Sequence, residues 1–261
     1  MRSRVASQVL PPLAFGVGFL ALWEAVVQGF DLKPYFLAAP SAIWTQFTDN
    51  FDLIWDASRV SGTNALVGLV AGTIAGIVMA FVLSRFRALD ELVTPLAVAL
   101  NAIPIFVLVA VFNNMFSITS EVPRRLMVTL VVYFIVLVNV AKGLTQVSAT
   151  HLELMRSLAA SPTAVLRKVR VPNSVPYLFT SLKIAAPAAV ITAFVSEYFG
   201  GSQNGLGSRI ASNIATSKNA TAWAYVLGAC LLGLAFYLIS ITVESVATPG
   251  GVNNRARDRS R

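Results

Sequence analysis

The chain has 261 residues, of which 56% are hydrophobic and only 12% are charged. A soluble domain carries about 25% charged residues, so this chain is too apolar to be a soluble globular protein. The net charge of +8 does not predict nucleic-acid binding, because the basic residues lie in short stretches between apolar runs, as in proteins that face anionic lipid. One histidine and one cysteine exclude an intramolecular disulfide and argue against a histidine-rich metal site. Cys230 lies in an apolar run, which predicts a buried packing role.

Six apolar runs have the length and composition of membrane-spanning helices. A hydrocarbon core about 30 Å thick requires about 20 helical residues. The first run is longer than a signal-peptide core and no cleavage site follows it, so it is predicted to be retained. The chain is therefore predicted to be an all-α membrane protein with about six transmembrane helices. The predicted spans are Leu10–Phe30, Ala65–Leu83, Leu92–Phe112, Leu126–Ala141, Tyr177–Gly200 and Ala222–Val243.

Lysine and arginine are distributed unevenly between the loops that these spans separate. With the N-terminus in the cytoplasm, 14 of the 20 Lys and Arg residues fall in inner segments and 6 in outer ones. Because inner loops carry the excess of positive charge, both termini are predicted to be cytoplasmic. Residues 1–9 then form the cytoplasmic N-terminus, residues 10–247 the transmembrane domain, and residues 248–261 a basic tail facing membrane lipid.

Two patterns in the first half of the chain predict how its helices pack. Over Pro34–Thr63, apolar residues at helical spacing predict an amphipathic helix at the outer membrane interface. Docking of an outer partner is an alternative interpretation of the same surface. In the second span, Gly68, Gly72 and Gly76 fall on one helix face and allow a close backbone approach. Packing within one subunit is favoured over a contact between two subunits.

Three residues inside the spans are candidates for the transport pathway and its gating. Pro104 interrupts the third span, and Asn101 lies just before it. A proline frees a backbone carbonyl that is tolerated only beside protein or a wet cavity, so both residues predict a pathway lining. Glu197 places a charge near the outer end of the fifth span, which is costly and often functional. It predicts gating or an ion pair with a group such as Arg209, and simple contact with the interface is the alternative.

The longest inner loop covers residues 142–176 and has the pattern of two short helices. Ser161 followed by Pro162 is a helix-start signal. Pro172 and Pro176 are expected to end the second helix before the fifth span begins. The residues alone leave two interpretations open, a docking site for another protein and an ordinary solvated loop. The predicted helices are Ala149–Ala160 and Pro162–Val169.

A family resemblance favours the docking interpretation. The stretch Met155–Ser161, followed by Val171–Pro176, resembles the EAA loop of binding-protein-dependent ABC importer permeases. More narrowly, the chain is similar to the nitrate/sulfonate/taurine-type permeases, and the ordered match covers nearly the whole chain. The resemblance implies a type I, MetI-like permease fold. The other matching segments are Leu22-Trp23-Glu24, Ala39-Pro40-Ser41, Pro104, Tyr177–Lys183, Val195–Gly200 and Gly205-Leu206-Gly207.

In that family the EAA loop forms coupling helices that sit in a groove of the ATP-binding subunit. The family's loop glycine is Ala159 in this chain, and alanine would restrict a turn with positive φ. The glutamate-alanine opening is also not preserved around Leu154 and Met155. The resemblance assigns ATPase coupling to Arg156, Ser157, Ala159, Ser161, Pro162, Arg167, Pro172 and Pro176.

The sequence contains no Gly-x-x-x-x-Gly-Lys-Ser/Thr phosphate loop, so the chain is not expected to hydrolyse ATP itself. No cofactor is expected either. The resemblance implies an ATP-binding subunit, a second permease copy in a homodimer, and an extracytoplasmic solute-binding protein in a prokaryotic inner membrane. The implied activity is import by alternating access of nitrate, a sulfonate, taurine, or a pyrimidine- or flavin-like compound. A secondary transporter or channel without an ATPase partner is the alternative, while one histidine and one cysteine argue against a membrane enzyme.

Overall fold

The computed structural model describes residues 2–86, 103–116, 120–200 and 204–247, and every regular element in those ranges is helical. Residues 166–170 form a single π-helical turn between α7 and α8. The helices are α1 Arg2–Gly29, α2 Pro40–Asp49, α3 Phe51–Arg85, α4 Ile105–Met115, α5 Val122–Thr145, α6 Ala149–Ser157, α7 Pro162–Val165, α8 Val171–Tyr198, α9 Leu206–Ala215 and α10 Asn219–Ala247.

Five helical segments in the described residues are long and apolar enough to cross a membrane, in agreement with five of the six predicted spans. The third predicted span, Leu92–Phe112, lies largely outside the described residues, and α4 covers its end. The five segments are Leu10–Gly29, Phe51–Arg85, Val122–Thr145, Pro162–Tyr198 and Asn219–Ala247.

Helices α3, α5 and α8 form the core of the bundle, and glycines on α3 bring α3 and α5 together. A Cβ at Gly72 would lie 2.6 Å from the Thr129 carbonyl oxygen and 2.7 Å from Val132 Cβ. Gly68 and Gly76 face α5 in the same way, one turn to either side. The glycine face predicted from the sequence therefore packs within one subunit, as favoured above.

The segment predicted as one amphipathic helix over Pro34–Thr63 is divided at Asn50. Helix α2 ends there, and the Asn50 side-chain amide donates to the Gln46 carbonyl oxygen at 2.9 Å. Helix α3 begins at the next residue and continues into the membrane, so the second span starts earlier than Ala65. Ile43 and Ile54 are buried, while Phe51 is half exposed. The helical spacing was predicted correctly, but the break and the continuous span were missed.

The prediction that Pro172 and Pro176 end a helix is wrong, because a continuous helical segment runs from Pro162 to Tyr198. Within the π-helical turn, the Val171 N–H donates five residues back, to the Leu166 carbonyl oxygen. A π turn is wider than an α-helical turn. It therefore accommodates the Pro172 ring, which would clash with the preceding turn of a regular helix.

Helices α1 and α10 lie at the edge of the bundle. Only 6% of the hydrophobic window of α1 and 11% of that of α10 are buried. Phe15 is 77% exposed, as expected for side chains that face lipid or another subunit. Cys230 on α10 is exposed, so its predicted burial is wrong. The apolar run around it faces out of the chain rather than into its core.

Helix α1 is attached to the bundle by its acidic residue, Glu24. The Glu24 carboxylate accepts from the Ser41 N–H at 3.0 Å and from the Ser41 hydroxyl at 2.7 Å. Ser41 lies in the first turn of α2, where a negative charge is favourable. Trp23 also meets Trp223 of α10 edge to face, with ring centroids 5.8 Å apart. The Glu24–Ser41 bonds thus join two segments that carry the family resemblance, Leu22-Trp23-Glu24 and Ala39-Pro40-Ser41.

Candidate coupling loop and gating cluster

We call residues 142–176 the coupling loop, after the role that the family resemblance implies. Its turn between α6 and α7 has the geometry of a Schellman motif. The Ala160 N–H donates to the Met155 carbonyl oxygen at 3.0 Å, and the Ala159 N–H donates to Arg156 at 2.9 Å. This pattern places Ala159 at the position where glycine is usual, because that residue is left-handed. Ala159 has φ 46°. The alanine that replaces the family's glycine therefore occupies a strained backbone conformation.

The helix-start signal at Ser161 and Pro162 is confirmed. Ser161 has extended backbone angles, and its hydroxyl accepts from the Ala164 N–H at 3.3 Å. Pro162 follows as the first helical residue. The turn is thus closed on one side by the end of α6 and on the other by the cap of α7, which gives residues 157–162 a defined shape.

The same turn carries large apolar side chains on its surface. Leu158 is 66% exposed and Leu154 is 55% exposed. They lie four residues apart, so they fall on one face of the end of α6. Arg156 and Arg167 are also exposed. Sequence reasoning missed the two leucines, although their helical spacing could have indicated an exposed apolar pair.

Asn173 connects the loop to the membrane helices. Its side-chain amide donates to the Gly143 carbonyl oxygen at 2.7 Å and to the Gln146 carbonyl oxygen at 3.0 Å. A Cβ at Gly143 would lie 2.8 Å from Ser174 Cα, so α5 and α8 touch backbone to backbone. Sequence reasoning did not select Asn173, although it lies in the Val171–Pro176 stretch that resembles the family. Pro172 and Pro176, which were selected, lie in the first two turns of α8.

Glu197 lies at the other end of α8 and is almost fully buried, with 1% of its surface exposed. Its Oε2 accepts from the Ser61 hydroxyl at 2.7 Å and from the Gly207 N–H at 3.1 Å. The Ser61 oxygen in turn accepts from the Leu206 N–H at 2.9 Å. A Cβ at Gly205 would collide with the Glu197 carboxylate. Glu197 therefore joins α3, α8 and the start of α9.

A second group of polar and charged side chains lies beside Glu197, and Arg124 is its buried charge. Arg124 is 1% exposed, and its Nη1 donates to Glu121 Oε2 at 2.6 Å. The Asn64 amide donates to the same oxygen at 2.6 Å, and Asn64 Oδ1 accepts from Arg125 Nε at 3.0 Å. We call Ser61, Asn64, Glu121, Arg124, Arg125 and Glu197 the gating cluster, after the role that the sequence predicts for Glu197.

Two charged atoms of the gating cluster have no hydrogen-bond partner among the described residues. They are Glu197 Oε1 and Arg124 Nη2. Arg124 acts electrostatically on Glu197, whereas Arg209, the partner predicted from the sequence, is exposed. Leaving a buried charged acceptor and a buried charged donor without hydrogen-bond partners costs free energy. This cost favours a water between them or a second arrangement in which they pair.

A cavity of about 500 Å³ opens beside the gating cluster. Asn64, Glu121 and Arg125 line it together with Asp56 and Arg59, so both signs of charge face the space. Of the predicted pathway residues, Pro104 precedes α4 and is exposed, and it does not line this cavity. Asn101 lies outside the described residues.

An ion pair between α8 and α10 lies nearer the coupling loop. Lys183 Nζ donates to Glu244 Oε2 at 2.6 Å, and the two side chains are 22% and 17% exposed. The pair places a charge of α8 against the acidic residue of α10, as is usual for ionisable residues in a span.

The comparisons with known proteins decide the family. A family model described as binding-protein-dependent transport system inner membrane component matches residues 72–248. The chain belongs to this family. The matched range includes the coupling loop, Glu197 and the α9 segment. The recognition made from the EAA-like loop and the segments around it is confirmed.

Individual relatives and structures agree with the family. The permease is 29% identical over 200 residues to a probable ABC transporter permease protein of Haemophilus influenzae, covering 77% of this chain and 81% of the relative. It is 29% identical over 204 residues to the formylaminopyrimidine transport permease protein ThiX of Halalkalibacterium halodurans, covering 77% and 79%. An inward-facing structure of the MetNI methionine ABC transporter matches with a TM-score of 0.57 at 20% identity, covering 74% of this chain and 92% of that chain.

These findings confirm the MetI-like fold and the activity. The protein is a multi-pass inner-membrane permease of an ABC importer. A secondary transporter or channel without an ATPase partner is not favoured, because the family and the relatives are components of ABC transport systems.

Proposed function

We propose that this permease receives the motion of a separate ATP-binding subunit through residues 142–176 and converts it into alternating access of its membrane helices. The observation that carries the proposal is the shape of the turn between α6 and α7. It presents Leu154 and Leu158 to the outside and leads directly into the continuous helical segment Pro162–Tyr198, which Asn173 joins to the end of α5. An exposed apolar pair on a rigid turn suits a groove on a partner, and the continuous helix lets a push on the turn reach α8.

A charged substitution at the turn tests this coupling. Ala159→Glu places a bulky charge between the two helices of the loop, so ATP hydrolysis should continue while uptake falls. Ala149→Glu is the matched control, since Ala149 is also exposed but begins α6, away from the turn. Both variants should be assayed in proteoliposomes with the ATP-binding subunit present. Normal uptake and complex assembly in Ala159→Glu would contradict the docking role.

The proposed function also includes an orientation in the membrane and a set of partner subunits. Both termini lie in the cytoplasm, two permease copies form a homodimer, and an extracytoplasmic solute-binding protein delivers the solute. The excess of Lys and Arg on one side of the membrane supports the orientation. Protease protection of the basic tail at residues 248–261 tests it, since the tail should be cut only from the cytoplasmic side. Mass measurement of the purified complex tests the homodimer.

The gating cluster holds the outer end of the permease closed in one state of this cycle. Glu197 binds Ser61 of α3 and the Gly207 N–H of α9, so separation of α3 from α8 requires this carboxylate to change partners. Arg124, whose Nη2 has no hydrogen-bond partner among the described residues, supplies the second partner. Two alternative sets of contacts of this kind make a bistable element. Asn101 and Pro104 remain proposed lining residues of the pathway.

Loss of the Ser61 contact tests the gating role. Ser61→Ala removes the hydroxyl but leaves the Gly207 contact, so the closed state should lose stability. ATP hydrolysis in the absence of solute should rise, because less energy is needed to reach the outward-open state. Ser58→Ala is the control, because the Ser58 hydroxyl donates only to its own helix. Unchanged basal hydrolysis in a normally assembled Ser61→Ala complex would contradict the gating role.

The solute is a small compound of the nitrate, sulfonate, taurine, or pyrimidine- or flavin-like group. The similarity to the formylaminopyrimidine transport permease protein ThiX supports a pyrimidine-like solute. The 24% identity to the bicarbonate transport system permease protein CmpB of Synechocystis supports a small anion. The solute-binding partner separates these classes. A thermal-shift screen of that partner should respond to one class, and labelled uptake should then require both the permease and ATP.

A further inference from the structure

A cavity of about 770 Å³ lies between the last turn of α3 and the coupling loop. Three arginines from three different elements line it, Arg85 of α3, Arg156 of α6 and Arg170 of the π-helical turn. No carboxylate is among the described residues that line the cavity. The cavity is thus strongly basic, and it lies apart from the gating cluster at the other end of the bundle.

The three guanidinium groups are available to a ligand. In the described part of the chain, none of them forms an ion pair with a carboxylate. The Arg85 guanidinium lies over the ring of Phe86, with its Cζ 5.6 Å from the ring centroid, and its N–H groups form no ion pair with a described carboxylate. Like charges around one space repel each other, so an anion would offset that repulsion. Arginine donors match a phosphate geometrically because they can bind two oxygens at once.

Large apolar side chains line the cavity together with the arginines. Phe81 lies one turn before Arg85 on α3, and Leu152 and Leu166 come from the loop. A free phosphate gains nothing from apolar contacts, whereas a phospholipid places its glycerol and first acyl carbons beside its headgroup. Arg85 also ends a membrane-spanning helix, which is the depth at which headgroups lie.

We propose that this cavity binds the phosphate group of an anionic phospholipid from the cytoplasmic leaflet. The inference rests on the orientation proposed above, since only then does the cavity face the leaflet that carries most anionic lipid. The phosphate lies between Arg85, Arg156 and Arg170, and the glycerol end contacts Phe81. Because Arg85 belongs to α3 and Arg156 to the loop, the bound lipid joins the loop to a membrane helix and makes coupling sensitive to lipid composition.

Lipid retention by the assembled transporter tests the proposal. The complex is reconstituted with phosphatidylglycerol, extracted, and weighed by native mass spectrometry. The double variant Arg85→Gln/Arg170→Gln should retain less phosphatidylglycerol, by roughly thirtyfold for two lost contacts. The matched control is Lys142→Gln/Lys168→Gln, which removes the same charge from exposed positions of residues 142–176 but not from the cavity lining. The control should retain the lipid as the parent does.

Three further measurements make the test decisive. Phosphatidylcholine vesicles should give no retained lipid, and millimolar inorganic phosphate should not displace phosphatidylglycerol. Displacement by inorganic phosphate would replace the lipid with a soluble ligand and overturn the proposal. Equal retention in both double variants would overturn it too. If the cavity variant loses the ATP-binding subunit but keeps the lipid, the arginines serve a protein contact instead. The variant Arg85→Lys/Arg170→Lys should restore most of the retention, which separates loss of binding from loss of folding.

A failure of this inference is distinguishable from a failure of the proposed function. Lipid retention is measured without transport, whereas the Ala159→Glu experiment measures uptake against ATP hydrolysis. A complex that couples normally but retains no lipid would remove the lipid site alone.

Discussion

The strained alanine at the end of α6 gives the sharpest quantitative prediction. Ala159 has φ 46° at a position that glycine occupies without steric cost. A left-handed conformation costs an alanine about 1 to 2 kcal/mol. Glycine would also gain freedom in the unfolded turn, which reduces the benefit. Ala159→Gly should therefore stabilise the turn by about 1 kcal/mol, or about fivefold in its local opening equilibrium.

Hydrogen exchange at the turn measures this change directly. The amides of residues 159 and 160 donate to Arg156 and Met155 at 2.9 and 3.0 Å, so each exchanges when the turn opens. After correction for the intrinsic rate of each sequence, exchange at residue 160 should slow about fivefold in Ala159→Gly. Amides in the core of α5 should not change.

Ala160→Gly provides the matched control. Ala160 does not have a positive φ, so glycine relieves no strain there and adds only flexibility. Exchange at the turn should become faster in this variant. Exchange in Ala159→Gly that is unchanged or faster would refute the assignment of strain to Ala159. It would mean that surrounding contacts, rather than the backbone angle, decide the stability of the turn.

Three other substitutions test the packing and the buried cluster. Gly72→Ala should cost about 1–3 kcal/mol in unfolding free energy, because its Cβ would lie 2.6 Å from the Thr129 carbonyl oxygen. The control Gly233→Ala has nothing within 4 Å of its Cβ and should be neutral or stabilising in the same thermal-unfolding assay. Equal effects of the two substitutions would contradict the close packing of α3 and α5. Asn173→Ala should cost about 1–3 kcal/mol and speed limited proteolysis of the coupling loop, so an unchanged cleavage rate would remove its anchoring role. Glu197→Ala should cost about 3–5 kcal/mol in unfolding free energy, measured as loss of folded permease after heating. Glu197→Gln should cost less, because its amide oxygen remains a hydrogen-bond acceptor. Equal losses of folded permease in the two variants would show that the acceptor is unimportant.

The membrane helices could be predicted from the sequence because length and composition alone decide whether a helix can span a bilayer. The break at Asn50 could not, since the apolar spacing continues across it from Phe47 to Ile54. The continuous helix through Pro172 was missed for a related reason. Proline rules describe regular α-helical turns, and the preceding π turn has a different geometry.

For the candidate sites too, local features could be predicted from the sequence, whereas contacts between distant residues could not. The helix start at Ser161 depends on neighbouring residues, and it was predicted correctly. The partner of Glu197 depends on the fold, because Ser61 is 136 positions away and no local pattern connects the two. The positive φ of Ala159 could be predicted only in part. The family resemblance indicated a special position, but only the backbone shows which residue carries the strain.

The continuous helix gives the proposed mechanism a physical connection between its two ends. The helical segment Pro162–Tyr198 has 37 residues, about 55 Å at 1.5 Å per residue. Asn173 binds the end of α5 near one end, and Glu197 binds Ser61 at the other. A helix that broke at Pro172, as the sequence predicted, could absorb a push from the coupling loop by bending there. In the proposed mechanism, the unbroken helix transmits a displacement of the loop along its axis to the carboxylate. Rigid-body switching of this kind requires discrete contacts at both ends, and Asn173 and Glu197 supply them.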